Sequence, residues 1–184
     1  DRIYGDYDVD GTTAVALVYK FIQQFYSNID YYIPDRYNEG YGISKKGVDY
    51  AAETGVGLII VLDCGIKAVE EITYAKEKGM TVIVTDHHEV QEELPPADAV
   101  VDHKQEECGY PFKGLCGAGV AFQLIGALYE KEGISPDERE DLLEYAAIAT
   151  VADVMELKGE NRGLVKSGLR ALEHTKNTGL RALL

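Results

Sequence analysis

Leu58-Ile59-Ile60-Val61-Leu62 and Val82-Ile83-Val84 are uninterrupted apolar runs, and each leads into an aspartate, Asp63 in the first case and Asp86 in the second. A run without polar alternation is a strand covered on both faces, and such strands belong to parallel sheets enclosed by helices. The same reading predicts strands over 3–5, 30–33, 57–62, 81–85 and 99–101. Between them, 12–26 carries Val15, Val18, Ile22 and Phe25 near helical spacing, 44–53 opens on a capping Ser44, and 67–78 stops at Gly79. Alternation of this kind specifies an α/β fold with a mainly parallel five-stranded sheet flanked by helices. Past Gly117 the pattern becomes helical, with helices expected at 118–132, 136–150 and 161–173, so a helical C-terminal portion covers about 117–184. The Gly- and Pro-containing stretch 109–119 reads as a loop.

A chain of 184 residues, 46% of them hydrophobic, suffices for one core and one domain. No stretch of about 18 apolar residues is present, which argues against a membrane span or membrane partner. The start has no basic segment followed by an apolar one, so no signal peptide is expected, and the abrupt entry into a strand suggests a piece of something longer. Cys64, Cys108 and Cys116 fit neither a disulfide framework nor a zinc knuckle, and reduced thiols in a cytoplasmic protein are the simplest reading. The formal charge of −14 argues against a general nucleic-acid clamp made by this segment alone. Part of the excess fits carboxylates that bound cations would neutralise.

Aspartates fall where predicted strands or buried helices end. Asp6, Asp8 and Asp10 follow the first strand in Gly5-Asp6-Tyr7-Asp8-Val9-Asp10-Gly11, Asp63 follows the third, Asp86-His87-His88 follows the fourth, and Asp153 follows the apolar stretch 146–152. The carboxyl edge of an open parallel sheet is where ligand-binding groups collect. Carboxylates crowded there repel one another unless cations intervene, and oxygen ligands mixed with imidazole suit manganese, with magnesium or zinc tolerated. Two such ions roughly 3.5–4 Å apart can activate water and hold phosphate oxygens. Alternating aspartates before a glycine can also simply cap a helix. An EF-hand is excluded because its twelfth position, where glutamate is required, is Leu17.

Gly5–Gly11, Asp63, Asp86-His87-His88 and Asp153, in this order, resemble the four motifs of the DHH phosphoesterase superfamily. Within it the chain is most similar to the catalytic DHH domain of the bacterial RecJ exonucleases. The similarity rests on the opening motif, on Asp35-Arg36-Tyr37-Asn38-Glu39-Gly40-Tyr41-Gly42, Gly117-Ala118-Gly119-Val120-Ala121-Phe122 and Thr150-Val151-Ala152-Asp153-Val154, and on Asn161-Arg162. The resemblance implies a metal-dependent 5′→3′ exonuclease core that degrades single-stranded DNA in repair and recombination, with two Mn2+ ions, or Mg2+ as substitute. It also implies single-stranded DNA as partner, held mostly by other domains, and leaves room for accessory repair proteins. The alternatives are a DHH phosphodiesterase of short oligonucleotides or cyclic dinucleotides, and an inactive metal-binding relative. Residues 1–184 would be the DHH domain, without the GGH-containing second domain and the oligonucleotide-binding fold that RecJ carries.

Roles follow from the resemblance by position. Asp8 and Asp63 would hold one ion, Asp63 bridging, while Asp10, His87 and Asp153 would hold the second. Asp6 would be a further ligand or a base, Asp86 would orient the histidines, and His88 would contact the scissile phosphate. Arg36 either grips a substrate phosphate or pairs with Asp35 or Glu39, and Arg162 either binds phosphate or pairs with Asp153 or a neighbour. Tyr41 either stacks on a base or packs its own turn. The amides of Gly117-Ala118-Gly119 either bind phosphate or mark close helix–sheet packing. His103 stands where RecJ-like proteins often have asparagine-proline, a departure of unknown role. His174 is expected to be an ordinary surface residue.

Overall fold

The computed structural model describes residues 1–184, apart from the side chains of 136, 137 and 138. Five strands, β1 (Arg2–Gly5), β2 (Asp30–Tyr32), β3 (Leu58–Leu62), β4 (Thr81–Asp86) and β5 (Ala99–Asp102), form one sheet in the order β2-β1-β3-β4-β5. Every pairing is parallel. From β1 the chain moves outward to β2, then returns past β1 to β3 and continues the other way. The strand order therefore reverses between β1 and β3, and a crevice opens beyond their carboxyl ends.

Pleating divides the apolar residues of the strands between two cores. Tyr4, Ile59, Val61, Val82 and Val84 face α2 (Lys45–Glu53) and α3 (Val69–Glu77), meeting Val48, Ala51, Ile72 and Ala75. Ile3 and Leu62 face the opposite way, into α1 (Val9–Ile22), α4 (Gly117–Lys131), α5 (Leu143–Ala152) and α6 (Gly159–Leu172). That larger cluster packs the C-terminal helices on the same face as α1, so Asp153 at the end of α5 returns to the carboxyl edge of the sheet. Closely packed helices need small residues: a Cβ on Gly168 of α6 would lie 2.3 Å from Ala147 Cβ of α5.

Strand positions agree with the sequence reading to within a residue, while helix ends differ for local reasons. Helix α1 starts at Val9 and not at 12, because Asp8 is its N-cap and accepts from Gly11 N at 2.9 Å. It ends at Ile22, which leaves Phe25 outside the helix and 63% exposed. The helix expected over 136–150 divides into a 3₁₀ segment, Pro136–Leu142, and α5. A short α7 (Thr178–Leu183), capped by Asn177, was not foreseen; it buries no residue and so leaves no apolar periodicity to read. No helix among the described residues is long and apolar enough to cross a membrane.

The turn from β1 into α1 is the tightest feature of the fold. A Cβ on Gly11 would lie 2.6 to 2.8 Å from the backbone O, N and C atoms of Asp6, which cannot withdraw without moving β1. Gly11→Ala is expected to cost about 2 kcal/mol by overpacking. Gly57→Ala, with nothing within 4 Å of its added Cβ, is the matched control. Its expected change is within about 0.5 kcal/mol. Urea denaturation of both variants checks the contrast.

Candidate metal centre

The reversal between β1 and β3 brings the aspartates of both strand ends together, and β4 adds the histidines. Asp10, in the first turn of α1, is fixed by the start of α4: its carboxylate accepts from Gly117 N at 2.6 Å and Ala118 N at 2.8 Å. Those amides are therefore already committed, and Gly119 N bonds Cys116 Sγ at 3.4 Å. The amides at this helix start are thus engaged within the fold, by Asp10 and Cys116. A Cβ on Gly117 would lie 2.5 Å from Asp63 Oδ1, so only glycine lets α4 approach the carboxylate.

His87 is the junction of the site. Its Nε2 lies 3.1 Å from Asp63 Oδ1, 3.6 Å from Asp10 Oδ2 and 3.8 Å from Asp153 Oδ2. Two groups have ligand atoms that all lie within 4.8 Å of one another: Asp10, His87 and Asp153, and Asp63, His87 and His88. The first coincides with the set expected for one ion. Asp8 and Asp6 fall outside both groups. Asp8 caps α1 with Oδ1, so its capping role is real, and it sits near enough for its charge to raise the Asp63 carboxyl. Asp6 is fully buried, with Oδ1 accepting from Gly42 N at 2.9 Å and Oδ2 unpartnered.

Asp86 organises the histidine pair. Its Oδ1 accepts from His87 N at 2.7 Å and meets His88 Nδ1 at 2.7 Å, while Oδ2 accepts from Ile66 N at 2.9 Å. Burial alone would raise this carboxyl, but the His88 ring and the Ile66 and His87 amides outweigh it and hold it below the usual range. In return, the bond to Asp86 raises His88 above an ordinary imidazole. His88 Nε2 faces Tyr41 Oη at 3.1 Å.

The centre is electrostatically unfavourable without cations. Burial drives Asp63 far above the carboxylate range, and Asp10, Asp8 and Asp86 push it further. Asp153 is raised by burial and Asp10, and His87 is lowered by burial. Asp63 Oδ1 and His87 Nδ1 are buried without hydrogen-bond partners. Carboxylates disfavoured as anions, beside an imidazole disfavoured as a cation, form a donor set suited to a borderline-hard divalent ion. Backbone strain lies at the same points: Asp63 has φ 58° and Val154, next to Asp153, has φ 55°.

The outer candidates behave differently. Arg36 pairs with neither Asp35 nor Glu39; its guanidinium carbon lies 5.3 Å from the centre of the Tyr7 ring. Tyr7 stands edge-on to Tyr41 at 6.1 Å, and Tyr41 edge-on to His88 at 6.0 Å, so an aromatic wall joins Arg36 to the site. Tyr7 was missed because a residue lodged between two aspartates carries no signal of its own. Arg162 is exposed and, among the described residues, makes no ion pair with Asp153 or any other acid. The companion Asn161 is a structural group, fully buried and donating to Gly114 O and Glu156 O. His174 is exposed beyond the end of α6.

Residues 2–150 match the sequence profile of the DHH family, N-terminal domain. The chain belongs to the DHH family. Over 182 residues it is 47% identical to the single-stranded-DNA-specific exonuclease RecJ of Bacillus subtilis (strain 168), covering 99% of this chain and 22% of the relative. The corresponding protein of Haemophilus influenzae is 42% identical, covering 91% of this chain and 30% of the relative. Among solved structures, exonuclease RecJ bound to manganese superposes with a TM-score of 0.89 at 38% identity, over 99% of this chain and 46% of that one. The chain thus spans about a quarter of the length of these two curated relatives.

The raised carboxyls make the stability of the metal-free chain depend on pH. Asp63 is protonated in the folded state at pH values where the unfolded chain has released that proton, near about 4. A raised carboxyl stabilises below the unfolded value and loses that contribution as pH rises towards the folded one. The thermal midpoint is therefore expected to fall between about pH 5 and 9, and to fall less in Asp63→Asn. Melting curves without metal, across pH, check both.

Proposed function

We propose that this DHH domain is the catalytic core of a RecJ-type exonuclease that hydrolyses single-stranded DNA from the 5′ end in cytoplasmic DNA repair and recombination. The observation that carries the reading is the convergence of Asp10, Asp63, His87 and Asp153 on one buried point, with His88 oriented beside it. The donor set fits Mn2+, with Mg2+ as substitute, and the manganese-bound RecJ structure supports that choice. Asp10, His87 and Asp153 would hold one ion and Asp8 and Asp63 the other, with Asp63 shared and Asp6 as a further ligand or base. Such ions lower the pKa of water and polarise phosphoryl oxygens.

The chain's own groups do the positioning. His88, its pKa raised by Asp86, carries a proton at neutral pH more readily than a free imidazole and donates from Nε2 to a phosphate oxygen of the scissile group. Arg36 and Arg162, exposed and free of ion pairs among the described residues, grip flanking phosphates through their guanidinium forks. Tyr41, 54% exposed beside His88, offers a face for a base. The charge of −14 leaves most strand binding to other domains of such a protein, with accessory repair proteins as further partners.

Hydrolysis of bis(p-nitrophenyl) phosphate and of 5′-labelled single-stranded DNA, with and without Mn2+, tests the reading. Metal-dependent turnover of both is expected, falling about 10³-fold in His88→Ala. Arg36→Ala is expected to raise KM for DNA about 10-fold while sparing the small ester. Turnover confined to short oligonucleotides or cyclic dinucleotides would replace DNA as the substrate, and no turnover with metal bound would leave an inactive relative.

A further inference from the structure

The carboxyl ends of β4 and β5 are in register, with Asp86 opposite Asp102. The next residues, His87 and His103, therefore leave the sheet side by side, on strands about 4.8 Å apart. Both imidazoles are buried, at 6% and 5% exposure. His87 Nδ1, both ring nitrogens of His103 and Asp102 Oδ2 are buried without a hydrogen-bond partner. Four orphaned polar atoms on two neighbouring strand ends are costly singly and are best explained jointly.

Their chemistry is complementary. His87 Nε2 points at the carboxylates, so a neutral His87 that ligates through Nε2 carries its proton on Nδ1 and needs an acceptor there. No described residue accepts it. We propose that His103 is a positioning residue for His87, accepting from His87 Nδ1–H through one buried water, and passing its own N–H to Asp102. His103 Nδ1 already lies 4.0 Å from Asp102 Oδ1. A neutral imidazole offers one ring nitrogen as donor and the other as acceptor, the two roles the relay needs. Lys113 Nζ donates to the His103 carbonyl and holds the backbone of this turn independently of the ring.

The role rests on the metal centre and is tested by Mn2+ calorimetry on wild type, His103→Leu and His103→Asn, with metal-free melting beside it. Leucine fills the space without an acceptor, whereas asparagine both accepts and donates. The expected result is a Kd weaker by about 10- to 100-fold in His103→Leu and within about threefold of wild type in His103→Asn, with all three melting alike. Equal affinity in His103→Leu, or equal losses in both variants, would overturn the relay. If His103→Leu does not fold, long-range 1H–15N spectra of the wild type decide. A slowly exchanging proton on His87 Nδ1 supports the relay, and a freely exchanging one overturns it. A wild type that binds no Mn2+ would remove the metal centre and the relay together, an outcome distinct from a defect confined to position 103.

Discussion

Mutual repulsion among buried carboxylates governs this molecule. Asp10 and Asp63 are almost wholly buried at one point, and Asp8 stands close enough to raise both Asp63 and Asp153. Ionised carboxylates in a low-dielectric pocket are unstable together, so the metal-free fold must hold protons there or take up cations. Everything around the pocket serves to keep the carboxylates in place despite that repulsion. The amides at the start of α4 clamp Asp10, Gly42 N holds Asp6, and four donors hold Asp86.

The scaffold also bears strain at the site. Asp63 and Val154 have left-handed backbone, a conformation costing on the order of 1–3 kcal/mol per residue. For Val154, β-branched and 87% exposed, no packing gain offsets it locally. Both residues adjoin or supply proposed ligands. The packing of α5 against α6 and α1, with Gly168 at the close contact, over-determines the turn after α5 and so delivers Asp153 to the sheet edge.

Much of this was legible in the sequence, for identifiable reasons. The continuous runs at Leu58–Leu62 and Val82–Val84 specify covered parallel strands, and parallel strands place their terminal aspartates on one edge. Asp10, His87 and Asp153, grouped by position in the sequence, also have ligand atoms within 4.8 Å of one another. What could not be read depends on side-chain direction. Whether Asp8 caps or ligates, whether the Gly117 amides face solvent or Asp10, and whether Arg36 meets an acid or the Tyr7 ring are all decided by rotamers and by elements distant in sequence. His103 is the sharpest case: only the β4–β5 register shows that it emerges beside His87.

The buried carboxylates and His87 are arranged to hold divalent cations. Titration of Mn2+ into the wild-type chain and Asp63→Ala, followed calorimetrically with melting in parallel, tests this arrangement. About two ions per wild-type chain are expected, with stabilisation that grows with metal concentration and loss of both effects in Asp63→Ala. Wild-type binding no tighter than that of Asp63→Ala would contradict it.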